Sequence, residues 1–183
     1  TLEHYKKYAV LHTRLFPYIY TLAHQAAEKG WPVVRHLMLH YPEDPRSQKT
    51  EYQYLLGDRL LAAPVLERDA REWEVYLPPG KWTHWWSGKR YSGPGTHRVL
   101  AGLGEVPLFV HNGKVLPLFN SPVDTLVEED REDINGFSDA NGKIRVVFYG
   151  NGSDSFRLWD GTVIKCIKEE GESGNCEVKS DPA

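Results

Sequence analysis

The chain has 183 residues, 40% hydrophobic and 26% charged, which is enough for one ordinary domain or two small ones. Its formal net charge is −3 and no block of Lys or Arg stands out, so nucleic acid and anionic membranes are poor partners. No apolar run approaches the length that crosses a bilayer.

Residues 2–29 read as helix. Tyr5, Tyr8, Leu11, Leu15, Ile19, Leu22 and Ala26 recur at helical spacing, with Lys6, Lys7, His12, Gln25 and Glu28 on the opposite face. The chain enters this pattern directly from Thr1, with no signal peptide in view, so its natural start is expected earlier. Pro17 lies inside the pattern and should kink the helix or begin a second one. Gly30 sits where a left-handed cap belongs, and Pro32 blocks continuation.

Residues 33–39 form a short, largely apolar run, the pattern of a parallel strand buried on both faces. Helix followed by buried strand suggests the end of a β/α unit. Asp44-Pro45 then resembles an N-cap with proline at the first helical position, opening a short helix through about Tyr54 that Gly57 ends.

From Leu60 the character changes to short strand-like runs at residues 60–66, 73–77, 81–86, 97–101, 106–110 and 114–119. Pro78-Pro79-Gly80, Ser87-Gly88, Gly93-Pro94-Gly95, Gly102 and Asn112-Gly113 punctuate them. Asn112-Gly113 between two apolar runs is a hairpin signal, and strands at this spacing read as a β-sandwich. Further strands are expected at residues 144–149, 155–159 and 162–167, while the acidic run 128–133 reads as a solvated loop. The polar residues from about Glu169 read as a frayed tail. Cys166 and Cys176 there are too few for a disulfide framework, and both a bridge and two free thiols fit the pattern. Structural zinc takes four ligands, so a metal site on this pair is not expected.

Several stretches resemble glycoside hydrolase family 31, which includes α-glucosidases, α-xylosidases and sulfoquinovosidases. They are Arg14 to Leu22, with Pro17-Tyr18 and Tyr20-Thr21 at its centre; Pro32-Val33-Val34-Arg35; Leu37-Met38-Leu39; and Tyr41-Pro42-Glu43-Asp44. Then come Gln53-Tyr54-Leu55-Leu56-Gly57-Asp58, Leu60-Leu61-Ala62-Ala63-Pro64-Val65, and Val75-Tyr76-Leu77-Pro78-Pro79-Gly80-Lys81-Trp82 with Trp86 and Gly88. Order and spacing agree across roughly residues 1–119. Two departures bear on the subfamily: His36 stands where the family usually has proline, and His111 follows Val110 where arginine is usual.

The resemblance implies an α+β chain: the last helix-strand-helix portion of a (β/α)8 barrel, then an antiparallel β-sandwich and the start of a second β-domain. The corresponding divisions are residues 1–58, 59–122 and 123–183. It implies a retaining α-glycosidase whose two catalytic aspartates, and whose sugar-contacting residues, lie on earlier barrel strands. No catalytic residue, metal ligand or cofactor site is therefore carried onto this chain. Its partner is a carbohydrate substrate, met through the missing barrel, and a homo-oligomer of the full enzyme is compatible with this reading.

The residues themselves agree. Retaining hydrolysis needs two carboxyl groups about 5–5.5 Å apart. The acidic groupings Glu43/Asp44, Glu67/Asp69 and Glu128/Glu129/Asp130 sit in polar surroundings and read as caps or solvated charges. Three residues remain as candidates near a substrate. His40 falls at the C-terminal end of the expected barrel strand, where active-site groups gather, though a backbone-bonded supporting residue is the plainer reading. Arg35 lies within that strand, and an ion pair with a buried carboxylate is the plainer reading. Among Trp82, Trp85 and Trp86, strand alternation puts Trp85 alone on one face, which makes it the ring to test for sugar contact, though rings filling the sandwich core or its contact with the barrel are the plainer reading. An alternative function follows from that ring: a stand-alone carbohydrate-binding β-sandwich module.

Overall fold

The computed structural model describes residues 2–102, 104–127, 134–140, 142–171 and 173–180. The first helical pattern resolves into α1 (Leu2–Arg14) and α2 (Phe16–Lys29). The break falls at Leu15, and Pro17 occupies the first turn of α2, where a missing N–H costs no hydrogen bond. Gly30 caps α2 at φ 73° and donates its N–H to the Ala26 carbonyl. α2 buries Tyr18, Thr21 and Leu22, whereas α1 has no fully buried residue. α1 is moored instead by Tyr8, whose hydroxyl donates to the Gly104 carbonyl at 3.0 Å and accepts from the Val106 N–H at 2.7 Å.

The expected buried parallel strand at 33–39 is corrected. Only Val34–Arg35 (β1) is extended, and it runs antiparallel to β2 (Tyr54–Leu56). Leu37–Leu39 coil into a 3-10 turn, begun by His36, whose Nδ1 accepts from the Met38 N–H. β1 is the edge of its sheet and Val34 is 56% exposed. An apolar run of this length does not by itself distinguish strand from helical turn, nor say which face is covered. Asp44 caps α3 (Pro45–Lys49) as expected, but the helix lasts five residues and Tyr54 already belongs to β2. Gly57, at φ 62°, turns the chain from β2 into β3 (Leu60–Ala62) rather than ending a helix.

β4 (Glu72–His84), β5 (Arg90–Leu100) and β6 (Leu108–His111) complete a six-stranded sheet in the order β1-β2-β3-β6-β4-β5, every neighbouring pair antiparallel. The runs 73–77 and 81–86 are one bent strand. Pro78-Pro79-Gly80 is not a turn but an irregularity that shifts the β4–β5 register between Leu77 and Gly80. Gly93 faces it from β5, and a Cβ there would overlap the Pro78 carbonyl. Beyond the bend Trp82–His84 pair with β6, while before it Val75 and Leu77 pack on Leu55, Leu61 and Phe109. Trp82 is fully buried in this core, its Nε1 donating to the Pro78 carbonyl at 3.0 Å.

Asn112-Gly113 is a turn, but not one that pairs β6 with the next strand. β7 (Leu116–Phe119) leaves the large sheet and pairs with β8 (Ile144–Val147), and the Gly113 N–H donates to the Tyr149 carbonyl. A short helix, α4 (Phe137–Ala140), precedes β8. β9 (Gly152–Arg157), β10 (Val163–Lys168) and β11 (Asn175–Lys179) form a third sheet in the order β11-β10-β9. Within the tail expected to fray, Asn175–Lys179 form a paired strand, and Cys166 and Cys176 are joined in a disulfide. The acidic run 128–133 lies outside the described residues. A second core binds these parts: Leu15, Tyr18 and Leu22 of the helical segment meet Leu60, Val110 and Leu116, and then Phe156, Ile164 and Cys166. The architecture is mostly antiparallel sheet with few helices, a β-sandwich fold; no parallel strand pair occurs among the described residues.

Candidate functional site

Arg35 and His40 come together. Arg35 is 4% exposed; its Nε donates to the Pro32 carbonyl at 2.6 Å and its Nη1 lies 2.7 Å from His40 Nε2. The partner expected for Arg35 was a carboxylate. The structure puts an imidazole there instead, and Nη2 is buried without a hydrogen-bond partner among the described residues. Trp31 covers the pair: its ring stacks on His40 at 5.5 Å between centroids and lies 5.2 Å from the Arg35 guanidinium carbon. Burial, and then the Arg35 charge, push the His40 pKa below its ordinary value. The imidazole is thus neutral at pH 7, accepts at Nε2 from Arg35, and carries its proton on Nδ1. Arg35 is buried and supports His40 rather than standing as an exposed ligand group.

The tryptophans do not form an open platform. Strand alternation stops at His84, so Trp85 and Trp86 lie in the turn that follows β4 rather than on its two faces. Trp85 is half-buried and packs against the core shared with Tyr18 and Leu22. Trp86 donates its Nε1 to the Val106 carbonyl at 2.8 Å, and the Lys7 ammonium sits 3.8 Å from its ring centroid. These rings fasten α1 to the strand region.

The acidic groups behave as caps and solvated charges where they are described. Asp44 accepts from the Arg46 N–H at 3.2 Å, Ser47 Oγ at 2.6 Å and Tyr76 Oη at 2.5 Å. Glu67 is exposed, and Asp69 stands beside Arg68 with both side chains at least 90% exposed. Glu128, Glu129 and Asp130 lie outside the described residues. No group of three or more His, Cys, Asp or Glu residues is arranged to hold a metal among the described residues.

Arg59, a buried residue that no motif in the sequence marks, is the centre of a polar network. Its Nη1 donates to Asp58, its Nη2 to Asp154 Oδ2 at 3.0 Å, and its Nε to the Val115 carbonyl at 2.6 Å. Its guanidinium also lies over Phe156, 4.5 Å from the ring centroid. Asp154 Oδ2 in turn accepts from the Val115 N–H at 2.9 Å. Burial alone would raise the Asp58 pKa, but the Arg59 charge and hydrogen bond outweigh it and hold the carboxyl below the usual range. A general acid needs the opposite shift, so Asp58 is suited to holding structure together, not to proton donation. The only hint in the sequence was a charged residue directly before the apolar run at 60–66.

Comparison with known proteins places these features in a longer frame. Residues 30–116 match the glycosyl hydrolase family 31 C-terminal domain. The chain is 36% identical over 117 residues to an isomaltosyltransferase from Sporosarcina globispora, a match covering 64% of this chain and 11% of the relative. It is 28% identical over 164 residues to alpha-glucosidase 2 from Bacillus thermoamyloliquefaciens, covering 90% of this chain and 21% of that protein. Among solved structures, the Flavobacterium johnsoniae GH31 dextranase complexed with glucose superposes with a TM-score of 0.72 at 30% identity, over 95% of this chain and 23% of that one. The chain thus spans about a tenth to a quarter of the length of these relatives.

Proposed function

Because the chain belongs to glycoside hydrolase family 31, we propose that it is the C-terminal supporting part of a retaining α-glycosidase that hydrolyses terminal α-glycosidic bonds. In this reading the catalytic aspartates belong to a barrel body outside residues 1–183, and the β-sandwich packs against that body. The division at residues 58 and 122 is part of the same proposal: residues 1–58 meet the barrel body, and the β-strands that follow buttress it.

The observation that carries the reading is the exposed apolar segment around β1. Trp31, Val34, Met38 and Leu39 are 40%, 56%, 46% and 42% exposed, and they lie on or close to β1 in the chain, the strand that ends its sheet. A sheet edge flanked by uncovered apolar side chains calls for further strands or a covering body. At about 25 cal/mol per Å2, covering such side chains contributes several kcal/mol to docking. Arg35 and Trp31 then fix His40 at the border between this surface and the barrel.

Purified chain is expected to release no aglycone from 4-nitrophenyl α-glucoside, α-xyloside or sulfoquinovoside. Turnover that co-purifies with the chain and survives removal of contaminating glycosidases overturns the proposal. Restoration of activity on adding the chain to the matching barrel body supports it.

A further inference from the structure

We propose that the Cys166–Cys176 disulfide is a reducible clasp that holds β11 as a removable edge strand. The two cysteines sit directly opposite each other in the β10–β11 ladder, and their Cα atoms are 4.1 Å apart. Their surroundings differ sharply. Cys166 is fully buried in the core with Phe156 and Ile164, while Cys176 is exposed on a strand whose five residues are all exposed.

β11 therefore buries no side chain of its own to hold it in place. Its ladder bonds run only to β10, because β11 is the edge of its sheet. Backbone hydrogen bonds on a solvated edge contribute little net stability, since water replaces them when the strand leaves. The disulfide closes a short loop through residues 167–175, and such a link favours the docked strand on the order of a hundredfold.

The asymmetry also sets the chemistry. A thiolate of a dithiol reductant reaches the Cys176 sulfur, forms a mixed disulfide there, and expels the Cys166 thiolate, which takes up a proton in the core. The second thiol of the reductant then displaces Cys176 and leaves as a cyclic or linked disulfide. Two electrons pass from reductant to protein. The buried Cys166 thiol remains a well-packed apolar group, so the core stays closed while β11 is released. The released strand takes with it Glu177 and Lys179, which form one side of a groove of about 390 Å3 over Val163 and Lys165.

Hydrogen exchange of the protein with and without a dithiol, read by mass spectrometry, tests this. Reduction should add two protons to the mass and raise exchange at residues 175–179 and along β10 about a hundredfold, with β3 and β6 unchanged. Cys176→Ser should show the released pattern without reductant. Three results overturn the proposal: alkylation of both cysteines before any reduction, unchanged exchange at β11 after complete reduction, and loss of protection across β3 and β6 along with β11.

Discussion

The Arg59 guanidinium and the Asp154 carboxylate meet at 3.0 Å although they lie 95 positions apart in the chain. Arg59 stands at the start of β3 and Asp154 on β9, so one ion pair ties the six-stranded sheet to the distal three-stranded sheet. Both side chains are largely shielded, at 7% and 14% exposure. Arg59→Met should then leave Asp154 and Asp58 without their shared cation and the Val115 carbonyl without its donor. The expected cost is about 3–5 kcal/mol in urea unfolding. Arg59→Lys should recover only part of it, because an ammonium cannot reach all of these acceptors at once. A loss below about 1 kcal/mol for Arg59→Met would show that the network is incidental.

Acid should weaken the protein in two stages. Burial lowers the pKa of His40, His84 and His111, the Arg35 charge adding to the effect at His40. Unfolded imidazoles titrate near 6.5, so below that the unfolded chain binds more protons and stability falls between about pH 7 and 5. Asp58 has the depressed-carboxylate sign: its contribution is complete above about pH 4 and is lost as pH falls through its folded value. Urea midpoints measured from pH 8 to 3 check this, with Asp58→Asn flattening only the acidic stage. A midpoint that does not change between pH 7 and 5 contradicts the histidine assignment.

Gly57, in the turn between β2 and β3, packs closely on α2. It turns at φ 62°, and a Cβ there would overlap Tyr18 Oη and press on Leu22. The same Tyr18 hydroxyl donates to the Leu56 carbonyl at 2.8 Å and accepts from the Arg59 N–H at 3.2 Å. Gly57→Ala should cost about 3 kcal/mol or more, combining backbone strain with overpacking. Tyr18→Phe should cost about 1–3 kcal/mol. Because the overlap is with the hydroxyl, the double variant should fall short of the sum of the two. Strict additivity would falsify the contact as described.

Gln53, directly before β2, ties that segment to Tyr76 of β4. Its Nε2 donates to the Tyr76 carbonyl at 2.7 Å and its Oε1 accepts from the Tyr76 N–H at 2.9 Å, both buried. Gln53→Leu keeps the volume but strands two backbone groups, at an expected cost of about 2–4 kcal/mol. Thermal unfolding of the variant measures it, and a near-neutral result means water reaches Tyr76.

Much of the local structure is legible in the sequence. The helix break close to Pro17, the cap at Gly30, the Asp44-Pro45 start and most strand positions depend on periodicity and on the backbone limits of Gly and Pro, which act within a few residues. The family resemblance is legible for the same reason, since its motifs are contiguous runs. Partnership is another matter. Pro78-Pro79-Gly80 carries a turn signal, yet the pairing of β4 with β5 on either side makes it a bend inside one strand. Asn112-Gly113 turns the chain as expected, but competition among sheets decides that β7 pairs with β8. Arg35 was expected to meet a carboxylate and meets His40, and Arg59 gathers two aspartates that no spacing rule connects. Local signals say where the chain can turn and which residues are able to be buried. Only the assembled tertiary structure decides which side chains share a low-dielectric space, because that choice balances desolvation against contacts made by residues far apart in sequence.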